Sequence, residues 1–247
     1  NYFSQELMAR PEVDMVMRGY DTHEPMVQLM AALRGGESLD RVPNLLWKDT
    51  RGQVHDNGVS HRPGTFGSAV DWSSNATQPS SSGLPIRDLM SIQTAGCTFD
   101  CPWCGGSRSA FRRVFGQGPV LAFKPLAQVR KEFATIPAAG NGSGLHLYDA
   151  GAYNCCEDRI NAYLDAVEAS GARSMTIEQF HLPSDAMVRR MAEACRTTIT
   201  LSPQCHDLHV AKLAGRGVYT PQEMEAWIER ALALGIHRVE VWYFVGM

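Results

Sequence analysis

Residues 96–106 read Gly-Cys-Thr-Phe-Asp-Cys-Pro-Trp-Cys-Gly-Gly and closely follow the apolar segment Leu89–Thr94. The run places Cys97, Cys101 and Cys104 in the pattern Cys-x-x-x-Cys-x-x-Cys, with no fourth Cys or His nearby. A cubane iron–sulfur cluster usually takes four thiolates, and a tetrahedral structural zinc also takes four ligands. The three cysteines therefore predict a metal centre with one open position, which is where a substrate or cofactor binds.

Incidental burial is the alternative explanation for these cysteines, because a free cysteine often behaves as a small hydrophobic residue. The close spacing and the flanking Gly96, Pro102, Gly105 and Gly106 favour a metal-binding loop instead. Glycine lets the chain wrap tightly and turn backbone N–H groups toward sulfur, and such hydrogen bonds tune the potential of a cluster.

A strand–helix alternation extends from residue 85 to the end of the sequence. The predicted strands are Leu89–Thr94, Leu145–Asp149, Arg173–Gln179, Thr197–Leu201 and His237–Val245. The predicted helices are Leu126–Ile136, Glu157–Ser170, Asp185–Cys195 and Pro221–Leu234, the last with Met224, Trp227, Ile228, Ala231 and Leu232 facing inward. Near-continuous apolar strands in repeated β-α units predict a parallel sheet or barrel, whose sites collect at the carboxyl ends of the strands. The cysteine run follows such an end.

The first 58 residues differ in character from this repeat. They predict a strand over 14–19, a helix over 24–33 with Met26, Leu29, Met30 and Leu33 on one face, and a hairpin around Asp49–Gly52. Residues 59–84 are rich in Ser, Gly, Pro, Asn and Thr, which is typical of a linker. The predicted organisation is an α/β tail over 1–58, a linker over 59–84 and a second domain over 85–247.

Composition excludes several classes of protein. The 247 residues carry a net charge of −3, which gives no sign of the basic footprint of a nucleic-acid-binding protein. No run of 18 apolar residues predicts a membrane span. Seven cysteines, three of them closely spaced, indicate a metal site in a reducing compartment, with the cytoplasm as the expected location. Both ends of the sequence are abrupt, so we expect the chain to be the middle of a longer protein.

The strand followed by Cys-x-x-x-Cys-x-aromatic-Cys resembles the radical S-adenosylmethionine enzymes, and the resemblance covers roughly residues 85–247. It implies a partial (β/α)6 barrel, truncated after the fifth strand, in which Cys97, Cys101 and Cys104 hold a [4Fe-4S] cluster. In that family S-adenosylmethionine chelates the fourth iron and is cleaved to a 5′-deoxyadenosyl radical. Trp103 takes the aromatic position near the adenine, a role compatible with ordinary core packing.

The same resemblance implies further S-adenosylmethionine contacts at Asp149, Glu178, Gln204 and Arg216. Asp149 ends the second strand, where the family often has Gly-Gly-Glu, and a solvated turn residue is the alternative. A glutamate at the end of an apolar strand is costly to bury without a partner, which favours a site role for Glu178. Arg216 could pair with a carboxylate as a fork, or simply end a helix between Gly215 and Gly217.

The run Pro11–Gly19 and the helix after it resemble the last β-α unit of the cobalamin-binding domains that precede many radical S-adenosylmethionine domains. Where those domains usually show Gly-Glu-Gly-Glu, this chain has Gly-Tyr-Asp-Thr-His-Glu over 19–24. The expected fold at this end is therefore the tail of a Rossmann-like cobalamin-binding domain. The implied enzyme is a cobalamin-dependent methyltransferase acting on an unactivated carbon.

Two alternatives remain open at the level of sequence. A cobalamin-independent radical S-adenosylmethionine enzyme would carry out a rearrangement, an oxidation or a thiolation. An iron–sulfur electron carrier or a zinc-binding module would instead need a fourth protein ligand. For the enzyme, the expected partners are a small-molecule or peptide substrate and an external electron donor of the flavodoxin or ferredoxin type, with neither nucleic acid nor membrane.

Overall fold

A three-stranded sheet, a five-stranded sheet and a two-stranded sheet organise the described residues. The computed structural model describes residues 3–65, 67, 69–73, 88–116, 121–136, 144–148 and 157–245. The N-terminal elements are helix α1 (Ser4–Met8), strand β1 (Met15–Met17), helix α2 (His23–Gly35), a 3-10 turn (Leu39–Arg41) and strands β2 (Leu45–Lys48) and β3 (Val54–Asp56).

The remaining elements mostly alternate between strand and helix. They are β4 (Asp88–Ile92), β5 (Thr94–Gly96), α3 (Arg108–Phe115), β6 (Leu121–Phe123), α4 (Leu126–Phe133), β7 (Gly144–Tyr148), α5 (Glu157–Ser170), β8 (Ser174–Gln179), α6 (Asp185–Ala194), β9 (Arg196–Gln204), α7 (Leu208–Leu213), α8 (Pro221–Ala233) and β10 (Arg238–Tyr243). The exceptions to the alternation are β5, which follows β4, and α8, which follows α7.

Five of these strands form one parallel sheet, as the sequence predicts. Its order is β10-β9-β8-β7-β4, so the strands lie side by side in chain order. Parallel neighbours joined by right-handed crossovers all place their helices on the same face of a sheet. The carboxyl ends of the five strands consequently share one edge, and the cysteine loop begins just beyond β4.

The main core lies between this sheet and its helices. Alternate strand residues point into it, including Leu89, Leu147, Ile177 and Leu201. Helices α4, α5, α6 and α8 cover them with Phe133, Leu164, Met191, Trp227 and their neighbours. On the opposite face of the sheet Met90 and Ile92 are exposed. One face is thus packed against helices, whereas the other is exposed at β4 but buried at Thr200 and Ser202 of β9.

The N-terminal strands form an antiparallel sheet in the order β1-β2-β3. The hairpin predicted around Asp49–Gly52 is present, with Trp47 paired to His55 and their rings stacked 4.5 Å apart. The strand and helix predicted on either side of residue 20 are also present as β1 and α2. Their sheet partner is antiparallel, unlike the neighbouring strands of a Rossmann-like domain.

The apolar face predicted for α2 is wrong. Leu29 is buried as expected, but Met26, Met30 and Leu33 are exposed, and the helix instead buries Pro25, Leu29 and Ala32. Apolar residues occupy more than one side of this helix, so their spacing alone did not determine which side packs against the small core around Val42 and Leu45.

The inward face predicted for α8 needs a smaller correction. Met224, Trp227 and Ala231 are buried and Ile228 is partly buried, but Leu232 is exposed. Helices α1, α3 and α7 and the short antiparallel pair β5–β6 were not predicted. All four are short, and periodicity is least informative for short elements.

Part of the predicted linker forms hydrogen bonds with residues that precede it and follow it in the sequence. Asn44 accepts from the backbone N–H groups of Ser60 and His61 at 2.9 Å each. Further along, the backbone N–H of Val70 donates to Glu132 at 3.2 Å. Glu132, on α4, is fully buried and pairs at 2.5 Å with Lys124, which precedes α4, so Val70 is held beside an enclosed ion pair.

Tyr20 joins the N-terminal unit to α3. Its ring lies 5.3 Å from the rings of both Phe111 and Phe115, and its hydroxyl donates to the carbonyl of Pro63. Because α3 directly follows the cysteine loop, this aromatic contact connects the N-terminal unit to the candidate site. No helix among the described residues is long and apolar enough to cross a membrane.

Candidate metal centre

The loop between β5 and α3 is built from tight turns. Gly96 has φ +85°, a conformation that side chains disfavour, and it turns the chain out of β5. The N–H of Cys104 then donates to the carbonyl of Cys101, and the N–H of Ser107 donates to the carbonyl of Cys104, both at 3.1 Å. The Ser107 side chain accepts from the N–H of Ala110 at 3.3 Å and begins α3.

Backbone N–H groups face two of the three sulfur atoms. The N–H of Phe99 donates to Sγ of Cys97 and the N–H of Gly106 to Sγ of Cys104, each at 3.4 Å. Cys97 and Cys101 are buried and Cys104 is half-buried. Burial raises the pKa of the Cys97 and Cys101 thiols, while the positive charge of Arg216 acts in the opposite direction.

Within the described part of the chain, no three Cys, His, Asp or Glu side chains are placed to hold a single metal ion. The thiolates of a four-iron cluster each bind a different iron, so they stand farther apart than the ligands of one ion. The loop brings the three cysteines together in one apolar cluster with Phe99 and Phe180.

A Gly-Arg-Gly turn after α7 packs directly on the cysteine loop. Gly215 has φ +80°, and a Cβ atom there would lie 2.6 Å from Cα of Cys101 and 2.9 Å from the carbonyl carbon of Asp100. Gly217 has φ +77°, and its Cβ would lie 2.7 Å from Lys212. Sγ of Cys101 also donates a weak hydrogen bond to the carbonyl of Gly215 at 3.8 Å. Only glycine allows this approach.

The side chain of Arg216 is held by aromatic rings. Its guanidinium carbon lies 3.4 Å from the ring centroid of Phe180 and 4.7 Å from that of Phe99. Nε and Nη1 are buried without a hydrogen-bond partner among the described residues. Burial, and secondly the charge of Arg216, lower the pKa of the neighbouring His181.

Glu178 and Gln204 meet through Ser202 at the ends of β8 and β9. The Ser202 hydroxyl donates to Oε1 of Glu178 at 2.7 Å, and Nε2 of Gln204 donates to the carbonyl of Ser202 at 3.4 Å. Gln204 is buried, has φ +75°, and leaves its Oε1 without a partner within the described residues. A non-glycine residue in this backbone region is strained, and such strain concentrates at functional sites.

Trp103 borders a groove on the outer side of the loop. Its ring lies 4.7 Å from the ring of Phe244, which follows β10, and about half of its side chain is exposed. The groove, of about 550 Å³, is also lined by Asp100, Cys104 and Arg113. Trp103 is therefore not an ordinary core residue.

The structure thus places six of the predicted site residues in two groups of neighbouring residues. Cys97, Cys101, Cys104 and Arg216 form one, and Glu178 and Gln204 form the other. Phe180 belongs to the first group and lies two residues beyond Glu178 on the same strand end. Asp149 lies outside the described residues.

Sequence reasoning missed Phe99, Phe180, Ser202 and Gly215. Phe99 lies within the cysteine run 96–106, and the sequence indicates for Gly215 only a possible helix end. The Gly-Arg-Gly run was the available signal, because two glycines flanking one arginine indicate a turn with little room. Phe180 carried no such signal.

Comparisons with known proteins give matches of structure alone. No protein-family profile matches the chain, and no curated protein matches its sequence. TsrM from Kitasatospora setae, a radical S-adenosylmethionine methyltransferase solved with tryptophan and an S-adenosylmethionine analogue, gives a TM-score of 0.65 at 15% identity over 92% of this chain and 45% of that one. The same enzyme solved with cobalamin and a [4Fe-4S] cluster gives 0.64 at 16% identity, again over 92% and 45%.

OxsB, a cobalamin-dependent S-adenosylmethionine radical enzyme solved with aqua-cobalamin and S-adenosylmethionine, gives a TM-score of 0.62 at 15% identity. The match covers 90% of this chain and 32% of that one, so the chain spans less than half the length of the enzymes it resembles. At such identities the likeness concerns the fold. This chain has the α/β fold of the cobalamin-binding radical S-adenosylmethionine enzymes.

Proposed function

We propose that this chain is the cluster-binding part of a radical S-adenosylmethionine enzyme. The observation that carries the proposal is the loop of Cys97, Cys101 and Cys104, which lies at the carboxyl edge of a parallel sheet with backbone N–H groups directed at sulfur. Soft thiolate ligands select iron–sulfur clusters or zinc, and hydrogen bonds donated to sulfur tune the potential of a cluster.

The residues present fit both the cluster and the cofactor. When bound, the [4Fe-4S] cluster supplies the electron that cleaves S-adenosylmethionine. Cys97, Cys101 and Cys104 would hold the cluster, and Phe99 and Phe180 would exclude water from it. The buried, unpartnered atoms of Arg216 and Gln204 fit a polar ligand that completes their hydrogen bonds.

Each remaining cofactor contact has a distinct task in this proposal. Glu178, oriented by Ser202, would accept from hydroxyl or ammonium groups of S-adenosylmethionine. Trp103 offers a partly exposed ring on which the adenine can stack. Asp149 is assigned by the family resemblance alone. An enzyme gains most from such residues by fixing the reacting groups in line before the reaction begins.

The finer proposal is a cobalamin-dependent methyltransferase acting on an unactivated carbon of a small-molecule or peptide substrate. Its support is the fold shared with TsrM and OxsB, both solved with cobalamin. The parallel sheet would be part of a (β/α)6 barrel over 85–247, and residues 1–58 would be the C-terminal part of a cobalamin-binding-like α/β domain. No described side chain is assigned to cobalamin, and the electron would come from an external donor of the flavodoxin or ferredoxin type.

Product analysis separates this proposal from the cobalamin-independent alternative. In an anaerobic reaction of the full-length protein, 5′-deoxyadenosine together with S-adenosylhomocysteine supports methylation. 5′-Deoxyadenosine alone, with no corrin absorbance after reconstitution with cobalamin, supports a rearrangement, an oxidation or a thiolation.

Serine substitution of the three cysteines tests the cluster. Cys97→Ser, Cys101→Ser or Cys104→Ser should each lower the iron and sulfide content after reconstitution at least about tenfold, because the hydroxyl is a poor cluster ligand. Chemical analysis of iron and sulfide, together with the visible absorbance of the cluster, measures the loss.

Cys195→Ala is the matched control, since burial raises the pKa of Cys195 to about 11 and it packs at the edge of the main core. It should keep the wild-type cluster content. An unchanged electron paramagnetic resonance spectrum of the reduced cluster on addition of S-adenosylmethionine would contradict the enzyme proposal and favour an electron carrier.

A further inference from the structure

Arg216 has a setting that differs from that of the surface arginines. None of the ion pairs among the described residues includes it, whereas Arg190, for example, pairs with Asp165 and Glu168. Its Nε and Nη1 are buried and lack partners in the same described part of the chain. Buried guanidinium nitrogens without a hydrogen-bond partner are costly, so another group is expected to complete their hydrogen bonds.

The backbone around Arg216, together with the rings of Phe99 and Phe180, fixes the position of its guanidinium. Gly215 lies against Cys101 and Gly217 lies against Lys212, each with a positive φ and no room for a Cβ atom. The backbone N–H of Arg216 donates to the carbonyl of Ala211 at 2.8 Å, which ends α7. The backbone therefore closes the helix, while the side chain leaves it and stacks on Phe180.

The cysteine sulfurs are the anionic groups nearest to this arrangement when a cluster is present. Phe99, whose ring lies beneath the guanidinium, donates its backbone N–H to Sγ of Cys97. The carbonyl oxygen of Gly215, the residue before Arg216, lies 3.8 Å from Sγ of Cys101. Both neighbours of the guanidinium thus contact cluster ligands directly.

A fixed positive charge beside a cluster changes its reduction potential. One-electron reduction, [4Fe-4S]²⁺ + e⁻ → [4Fe-4S]⁺, adds one negative charge to the site, and the electron comes from an external one-electron donor. A nearby cation and N–H groups directed at sulfur stabilise the reduced form more than the oxidised form. The apolar surroundings formed by Phe99 and Phe180 strengthen that interaction because they exclude water.

We infer that the stacked guanidinium of Arg216 raises the reduction potential of the cluster, independently of any contact with S-adenosylmethionine. The inference rests on the proposed function, because it requires the three cysteines to hold a cluster. It gives Arg216 a task before the cofactor binds, beyond the carboxylate contact that the family resemblance implies.

A redox titration without S-adenosylmethionine tests the inference. The reconstituted whole chain is reduced in steps with dithionite, and electron paramagnetic resonance reports the reduced fraction at each solution potential. Arg216→Gln, which removes the charge, should lower the ratio of reduced to oxidised cluster about tenfold at fixed potential, equivalent to about 59 mV for one electron. Arg216→Lys, which keeps a charge but not the planar stacking, should lower it about threefold.

Arg112→Met is the matched control, because it removes one positive charge from the exposed side of α3, close in sequence to the same loop. It should leave the ratio unchanged, and an equal fall in this control would overturn a specific role for Arg216. If Arg216→Gln takes up no cluster, the Lys variant decides, and a wild-type ratio there contradicts the inference.

Two further outcomes separate the inference from the proposed function. Normal cluster content with wild-type ratios in both Arg216 variants means that Arg216 serves only S-adenosylmethionine, which overturns the inference and leaves the enzyme proposal standing. Failure of the wild-type chain to take up any iron–sulfur cluster overturns both.

Discussion

At the scale of single residues, Gly215 lies so close to the backbone of Cys101 that no room is left for a side chain. We expect Gly215→Ala to lower the free energy of unfolding by about 3 kcal/mol, because the methyl group overlaps the backbone of Cys101 and the positive φ adds strain. Urea denaturation measures the loss of stability. The same variant should take up less cluster, since the loop must move away from its ligand geometry.

Gly36→Ala is the control for the backbone contribution alone. Gly36 has φ +66° at the end of α2, but nothing lies within 4 Å of its would-be Cβ. This variant should cost about 1 kcal/mol and leave cluster content unchanged. Equal effects of the two substitutions would contradict the close approach at Gly215.

The residues of the site differ in how far sequence could predict them. Cys97, Cys101 and Cys104 were predictable because their ligand pattern is local. Ser202 and Phe180 were not, because their roles depend on neighbours from other strands and loops. A serine that orients Glu178 and a phenylalanine that supports Arg216 have no spacing signature of their own.

At the scale of elements, α8 has the best-defined beginning. Thr220 accepts from the N–H of Glu223 at 3.2 Å, Glu223 accepts from the N–H of Thr220 at 2.7 Å, and Pro221 occupies the first turn. This reciprocal pair satisfies two N–H groups that a helix start otherwise leaves unpaired. It holds in place the helix that buries Trp227 against the sheet.

Thr220→Ala should destabilise the protein by about 1 kcal/mol at neutral pH. Hydrogen bonds from the backbone N–H and, secondly, from the hydroxyl of Thr220 lower the pKa of Glu223 below its ordinary value of 4.5, and the variant loses the second of these bonds. The unfolded chain therefore binds this proton at higher pH, so the contribution is present at neutral pH and is lost as the pH falls through the folded pKa. Denaturation at pH 7 and at acid pH should show the difference between wild type and variant shrinking in acid.

Ser184→Ala is the control, because it removes a helix cap whose third helical position is Met187 rather than a glutamate. Ser184 accepts from the N–H of Met187 at 3.3 Å at the start of α6. Its loss should be of similar size at neutral pH, with no shrinkage in acid that traces to a glutamate. If both variants respond to acid alike, Glu223 is not the titrating group.

Among the elements, long helices were predicted more accurately than their packing. Glu157–Ser170 is helical over the predicted range, and it buries Ile160, Tyr163, Leu164 and Val167 in the main core. The face of α2 was wrong because exposed Met26 and Met30 repeat with the same period as buried Leu29. Periodicity locates a helix, whereas the partner that covers it comes from the tertiary structure.

At the scale of the whole molecule, Tyr20 connects the antiparallel N-terminal unit to α3. Tyr20→Ala should lower the free energy of unfolding by about 2–3 kcal/mol, because the ring contacts with Phe111 and Phe115 are lost. Amide hydrogen exchange should increase both around residue 20 and along α3. An increase confined to the N-terminal unit would contradict the connection.

Tyr20→Phe separates the ring from the hydroxyl. It keeps both ring contacts and loses only the hydrogen bond to the carbonyl of Pro63, so it should cost about 1 kcal/mol. Exchange along α3 should stay at the wild-type rate.

The overall architecture was predictable where the chain repeats a pattern. Alternating apolar strands and amphipathic helices predicted the parallel sheet, whereas the order of its strands came from the structure. The antiparallel pair β5–β6 and helix α3, which frame the cysteine loop, follow no such repeat. They form because the loop is anchored locally, for example by Asp100, which accepts from the N–H of Ser109 at 2.9 Å.

The close approach of Gly215 also bears on how this sequence can vary during evolution. Any mutation of that codon to another residue adds atoms where the backbone of Cys101 already stands. Gly52 and Gly58, with open space at the same place, tolerate drift more readily. Selection on the cysteine loop therefore extends to a turn that is distant in the gene, and the two segments can change only together.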